Sequence, residues 1–245
     1  MSFIRLFCVL AIFLFLSCNN SNEISKPNIV LFMVDDLGWQ DTSVSFWKSE
    51  TKFNKLYNTP NMEILAEMGV RFTDAYATPV CSPSRISLMT GMNAAKHKVT
   101  NWTLHPNQKK PAEINHKSFD FPDWNYNGLS TRDSISNTIY ATPLPQILKD
   151  NGYYTIHAGK AHLGAIGYPS SNPLNIGFDI NIAGHAAGAP QSYLGLDNFG
   201  NNDSKNKIWA VPGLEKYHGK DIFLTQALSE EVLEKLQKPI NSKSP

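Results

Sequence analysis

The chain has 245 residues, with 22 Lys and Arg against 21 Asp and Glu, 42% apolar residues and 18% charged residues. These proportions exclude a disordered tail or a coiled coil, and a net charge of +1 argues against a nucleic-acid binder that works through a broad basic surface. The length suffices for one large domain with its own core, or two small ones.

Arg5 is followed by an apolar run from Leu6 to Leu16, then Ser17 and Cys18. A basic start, a short apolar stretch and a small residue before the cut predict a secretory signal peptide over residues 1–17. The run is too short for a good membrane span. Phe15-Leu16-Ser17-Cys18 resembles a bacterial lipoprotein cleavage box, in which the cysteine becomes the lipid-modified N-terminus. Plain secretion with Cys18 unmodified is the alternative. Residues 18–27 read as a polar tether and 28–245 as the folded domain. The expected location is outside the cytoplasm, in the periplasm or on the outer membrane, held to lipid only through Cys18. Cys8 leaves with the leader, so Cys81 is the thiol of the folded body and no disulfide framework is expected. Loss of Arg5 balances the mature charges, so an anionic substrate must be held by a local site rather than a global field.

Asn28 to Val34 is a continuous apolar run that predicts a strand buried on both faces, ending at Asp35-Asp36-Leu37-Gly38. Thr59-Pro60 opens a helix with Met62, Leu65 and Ala66 on one face, closed by Gly69. Val70 to Tyr76 is a second strand candidate. A further helix follows, with Ser82 as N-cap, Pro83 in the first turn and Gly91 after the last. Residues 100–140 read as a long polar excursion over the surface. Pro145 to Asp150 is a short helix ended by Asn151-Gly152, and Tyr153 to Ala158 a third strand. Residues 165–220 are loop-rich. Asp221 to Lys238 is an amphipathic helix with Leu224, Leu228, Val232 and Leu236 near one face. Strands alternating with helices predict an α/β layered fold.

Ligand sites of such folds gather at the carboxyl ends of strands. Asp35 and Asp36 stand at one. Adjacent carboxylates repel unless a cation lies between them, so they are either ligands of a hard metal or a solvated turn. Cys81 stands just before a helix N-terminus, where free N–H groups favour anions. Arg85, in the first turn, can fork onto an oxyanion. A buried structural cysteine beside a capped helix is the other reading.

Cys81-Ser82-Pro83-Ser84-Arg85 fits Cys-x-Pro-x-Arg and resembles the signature of type I sulfatases, whose cysteine is oxidised after translation to formylglycine (3-oxoalanine). Pro27 to Trp39 is similar to the family's first strand and metal loop. Thr59-Pro60-Asn61 through Phe72, and Leu88-Met89-Thr90-Gly91, resemble the blocks on either side of the signature. Gly159-Lys160-Ala161-His162-Leu163-Gly164 resembles Gly-Lys-Trp-His-Leu-Gly, and Gly177-Phe178-Asp179 a later block. The matches run in order from about residue 27 to 180.

The resemblance implies an alkaline-phosphatase-like α/β fold, with a mixed central sheet covered by helices on both faces and incomplete at the C-terminal end. It implies hydrolysis of organic sulfate esters, a sulfated small molecule or glycan as substrate, bound Ca²⁺, and a maturation enzyme that generates the formylglycine. Asp35 and Asp36 would be Ca²⁺ ligands, and Cys81, once oxidised, both nucleophile and ligand. Arg85 would stabilise the hydrated aldehyde and Lys160 would bind sulfate oxygens. His162 would orient or polarise the hydroxyl, on the same side of an extended segment as Lys160. A phosphatase or phosphonate hydrolase of the same fold, or a non-catalytic truncated product, are the alternatives.

Ala161 departs from the family's tryptophan. The stretch after Gly91 lacks the family's arginine and proline, leaving Lys96 and His97 as either site neighbours or a solvated helix end. His185 is a loose candidate, and Asp197 and Asp203 are expected to cap turns. The family's remaining calcium ligands, a further histidine and a second lysine are expected downstream of this chain. Residues 18–245 alone are therefore expected to be poorly soluble and inactive.

Overall fold

The computed structural model describes residues 26–107, 118, 126–242 and 244–245. The predicted leader and Cys18 lie outside the described residues. No helix among those described is long and apolar enough to cross a membrane. Two units are distinguished: Met1–Leu31 with Pro245, and Phe32–Ser244. In the first, residues 26–31 form neither helix nor strand.

The larger unit is α/β. Its helices are α1 (Pro60–Met68), α2 (Cys81–Thr90), α3 (Ala94–His97), α4 (Leu144–Asp150) and α5 (Leu224–Ser242). Its strands are β1 (Leu129–Ser130), β2 (Ile139–Tyr140), β3 (Ile156–Ala158) and β4 (Ile180–Ile182). They pair in parallel, β1 with β2 through Leu129–Ile139, and β3 with β4 through Ile156–Ile180, His157–Asn181 and Ala158–Ile182.

The core forms where apolar periodicity meets these ladders. Leu224 and Ala227 of α5, flanked by Leu228 and Val232, pack on Ile182, Phe199, Val211 and Leu214. A second cluster joins Ile86 of α2 to Leu129, Leu163 and Ile176. α5 starts at Leu224, three residues later than the sequence suggests, and continues through Pro239. Its buried Glu231 is neutralised by Lys216.

Two predicted strands do not form. Phe32, Met33 and Val34 are exposed and unladdered, as are Val70 and Phe72. Helix α1 starts at Pro60 and stops before Gly69 as expected, yet buries no residue, and Leu65 stands 69% exposed. An apolar run states a demand for burial, and no described neighbour meets it in these segments. The 100–140 stretch is also more structured than a surface excursion. Leu104 packs with Ala186 and Ala187, and Leu129 is fully buried.

Candidate active site

Helix α2 begins two residues earlier than the sequence suggests. Val80 is the N-cap, in extended backbone and without a side-chain cap, so Cys81 is the first helical residue. Ser82 does not cap the helix because its hydroxyl is used elsewhere. It is buried, and its Oγ accepts from the Thr103 N–H at 3.1 Å and shares a hydrogen bond with Thr103 Oγ1 at 3.3 Å. The helix ends as predicted at Gly91, whose φ of 67° is the left-handed conformation that glycine adopts without strain.

Cys81 and Arg85 stand four residues apart, so they share one face of α2. The Cys81 thiol is free and partly exposed. The Arg85 guanidinium is buried and forks between two chain segments. Its Nη2 donates to Asp35 Oδ1 at 3.0 Å and its Nη1 to the Lys160 carbonyl at 2.7 Å. Lys160 Nζ meets the second Asp35 oxygen at 2.5 Å. Asp35, Arg85 and Lys160 thus form one ion-paired cluster from three distant parts of the sequence. Burial works to raise the Asp35 carboxyl, but the hydrogen bonds and charges of Lys160 and Arg85 outweigh it and hold it below its ordinary value.

His162 lies next to this cluster. Its Nε2 is 2.7 Å from the Thr103 carbonyl, which can only accept, so Nε2 carries a proton. Burial first, then the charge of Lys160, depress the imidazole to about 4, so it is neutral near pH 7. The remaining nitrogen, Nδ1, is therefore a buried acceptor, and it has no partner among the described residues. Arg85 Nε–H is likewise buried without an acceptor. Thr103 joins the two halves of the site, with its N–H and hydroxyl on Ser82 beside Cys81 and its carbonyl on His162.

The segment after β3 is not a continued strand. His162 has a φ of 51°, a left-handed value that breaks the expected alternation, so Lys160 turns to Asp35 and His162 to Thr103. The His162 N–H donates to the His185 carbonyl at 3.1 Å, which is how His185 adjoins the site. Gly188 packs on the imidazole; a Cβ there would stand 2.5 Å from His162 Cε1. Ala161 is buried.

Asp36 has a φ of 53° and is exposed, and no hydrogen bond or ion pair joins it to Asp35's partners among the described residues. Among those residues no group of three or more His, Cys, Asp and Glu side chains converges to hold a metal. His97 is a core residue, bonded to Ser87 Oγ at 3.0 Å and to the Val99 N–H at 3.1 Å. Asp203 caps its turn through the Lys205 N–H at 2.8 Å, as expected. Asp197 accepts from Ser192 Oγ at 2.7 Å.

Sequence reasoning missed Thr103 and His157. Thr103 lies in a polar stretch with no periodic signal. His157 of β3 is half-buried, with Nδ1 3.2 Å from Asn181 Oδ1, directly across the ladder. Burial holds it at about 4, the Asn181 hydrogen bond opposing and the Arg85 charge reinforcing that shift. Its place two residues before Gly159-Lys160 was the available clue.

The family model described as Sulfatase matches residues 27–244. Mouse arylsulfatase G is 30% identical over 234 residues, covering 92% of this chain and 36% of that protein. Mouse N-acetylgalactosamine-6-sulfatase is 34% identical over 155 residues, 62% of this chain and 24% of that protein. Among solved structures, Ps i-CgsB superposes with a TM-score of 0.57 at 28% identity, covering 90% of this chain and 43% of that one. Its complex with k-i-k-neocarrahexaose superposes at 0.53 and 27% identity, covering 86% of this chain and 41% of that one. The chain spans about a quarter to a third of the length of the curated relatives it matches.

Proposed function

The chain belongs to the sulfatase family and has its alkaline-phosphatase-like α/β fold, and from that premise we propose that it carries the nucleophile end of a sulfuric ester hydrolase. The observation that carries this reading is the convergence of Arg85 and Lys160 on Asp35, one helical turn from Cys81. Two cations against one carboxylate leave positive charge where a sulfuryl group must be neutralised.

In this reading Cys81 is oxidised to formylglycine by a separate maturation enzyme. The hydrated aldehyde supplies two hydroxyls on one carbon: one attacks sulfur as the S–O bond to the alcohol breaks and the alcohol leaves with a proton, and deprotonation of the other expels sulfate and restores the aldehyde. The chain's own residues serve that chemistry. The free Arg85 Nε–H is a donor for an oxygen on residue 81. The His162 Nδ1 lone pair is an acceptor for a hydroxyl proton, kept unprotonated by burial. Thr103 fixes the imidazole tautomer from the opposite nitrogen. Lys160 swings from Asp35 to a sulfate oxygen.

Asp35 and Asp36 are hard oxygen donors of the kind Ca²⁺ takes, and they would hold it here. Bound there, the ion would polarise the sulfuryl oxygens and lower the hydroxyl's pKa. It would have to replace Lys160 or Arg85 on Asp35, because both carboxylate oxygens already face cations. The name of the hexaose in the Ps i-CgsB complex supports a sulfated glycan as the substrate class here. The leader over 1–17, the lipid anchor at Cys18 and the tether to residue 27 complete the reading as an exported lipoprotein.

The test is turnover of 4-nitrophenyl sulfate against 4-nitrophenyl phosphate by the protein that carries this chain, expressed with a maturation enzyme. Sulfate turnover that is lost in Cys81→Ala supports the reading, with the aldehyde visible by mass spectrometry in the peptide holding Ser82 to Arg85. Preferential phosphate turnover, or an unmodified thiol beside a matured control sulfatase, would overturn it.

A further inference from the structure

A cavity of about 630 Å³ opens between the 131–138 loop, which joins β1 to β2, and residues 167–175. Its lining offers one cation, Arg132, one aromatic ring, Tyr168, and the hydroxyl and amide groups of Thr131, Ser136, Ser171 and Asn175. No acidic residue lines it. Arg132 is anchored through its backbone, its N–H donating to Ser130 Oγ at 3.0 Å and its carbonyl accepting from the same hydroxyl at 2.9 Å. Its guanidinium meets no carboxylate among the described residues. The two walls are tied together, since Thr131 Oγ1 donates to the Asn175 carbonyl at 3.4 Å and Asn175 Nδ2 to the Pro169 carbonyl at 3.1 Å.

The cavity is continuous in sequence with the candidate site. Residues 163–165 are buried, Ser170 Oγ holds the Leu163 carbonyl at 2.8 Å, and the chain turns at Gly167 with a φ of 83°. Six residues separate His162 from Tyr168, so their Cα atoms lie no more than about 22 Å apart. A separation within that bound is within the reach of an oligosaccharide.

The lining selects the occupant by chemistry. A ring such as Tyr168 offers an apolar face for the C–H face of a sugar, and its hydroxyl a polar handle. Hydroxyl and amide groups suit sugar hydroxyls. An unpaired guanidinium fits the oxygens of a sulfate ester in a forked, charge-assisted geometry. A bare inorganic anion would leave the ring and amide unused.

We propose that this cavity is a subsite for a second sulfated sugar unit of an oligosaccharide whose reacting ester lies at Arg85 and Lys160. The proposal rests on the glycan-sulfate reading above. Arg132 reads the second sulfate and Tyr168 the sugar ring. Neither residue touches the reacting atoms.

The test is calorimetric titration of the whole protein with a sulfated hexasaccharide and with its desulfated counterpart, for wild type, Arg132→Gln and Tyr168→Ala. Arg132→Gln should weaken binding of the sulfated sugar about tenfold or more and leave the desulfated sugar unchanged. Tyr168→Ala should weaken both, and 4-nitrophenyl sulfate, too small to reach the cavity, should be turned over equally by all three. The salt dependence of sulfated-sugar binding should fall in Arg132→Gln. Wild-type binding by both variants, or no binding of the sulfated sugar to wild type, overturns the subsite even where the aryl sulfate is hydrolysed. Arg132-dependent binding without aryl sulfate turnover instead supports the subsite and counts against the hydrolase reading.

Discussion

Lys160 reaches across 125 residues of sequence to place its ammonium 2.5 Å from Asp35 Oδ2. The lysine is therefore the internal counterion of the carboxylate that the proposed Ca²⁺ must use. Removing it should have opposite effects on metal and on substrate. Lys160→Met should bind Ca²⁺ about fivefold more tightly, the scale of a partly exposed ion pair, while aryl sulfate turnover falls at least about tenfold. Titration calorimetry with CaCl₂ reads the first change independently of activity. Weaker Ca²⁺ binding in the variant would show that Lys160 does not compete for Asp35.

His162 and His157 both sit at about 4, against an ordinary value of 6.5. A folded-state value below the unfolded one means that the unfolded chain binds more protons between those pH values. Stability should therefore be lost as pH falls from about 6.5 to 4 and level off below. His162→Gln should remove up to one proton's worth of that slope, about 1.4 kcal/mol per pH unit at most. Denaturant midpoints measured at half-unit pH steps would check this; an unchanged slope would place the imidazole in water.

Gly188 leaves no room for a side chain beside His162. Gly188→Ala should displace the imidazole from the Thr103 carbonyl and cost about 1–3 kcal/mol through overpacking. Turnover should fall about tenfold or more, with little change in KM for a small aryl sulfate. An NMR tautomer pattern for His162 identical to wild type would contradict the proposed packing.

Asp179 holds the start of β4 to the start of β3. Its Oδ2 accepts from the Thr155 N–H and Oγ1, both at 3.0 Å, and its Oδ1 meets Lys149 at 2.7 Å. Burial tends to raise this carboxyl, but Lys149 and Thr155 together hold it below its ordinary value. Its contribution should be complete above about pH 5 and lost as pH falls through the lowered value. Asp179→Ala should destabilise the protein by about 2 kcal/mol. Asp179→Asn should flatten the acid limb of the denaturation profile.

Much of this protein is local information. The spacing of Cys81 and Arg85 is a property of any helix, Gly91 ends α2 because glycine tolerates a positive φ, and the apolar stripe of α5 requires a core. The ordered blocks around Cys81 and Lys160 were enough to indicate the family. What tertiary structure alone decided was which groups meet. Ser82 has the residue type of an N-cap, yet the buried Thr103 N–H needs an acceptor and takes its hydroxyl. Lys160 and His162 alternate in sequence, yet the left-handed turn at His162 sends them to different partners. The 28–34 run has the composition of a buried strand, but a strand exists only where another offers its N–H and C=O groups, and a single sequence segment cannot state its neighbour.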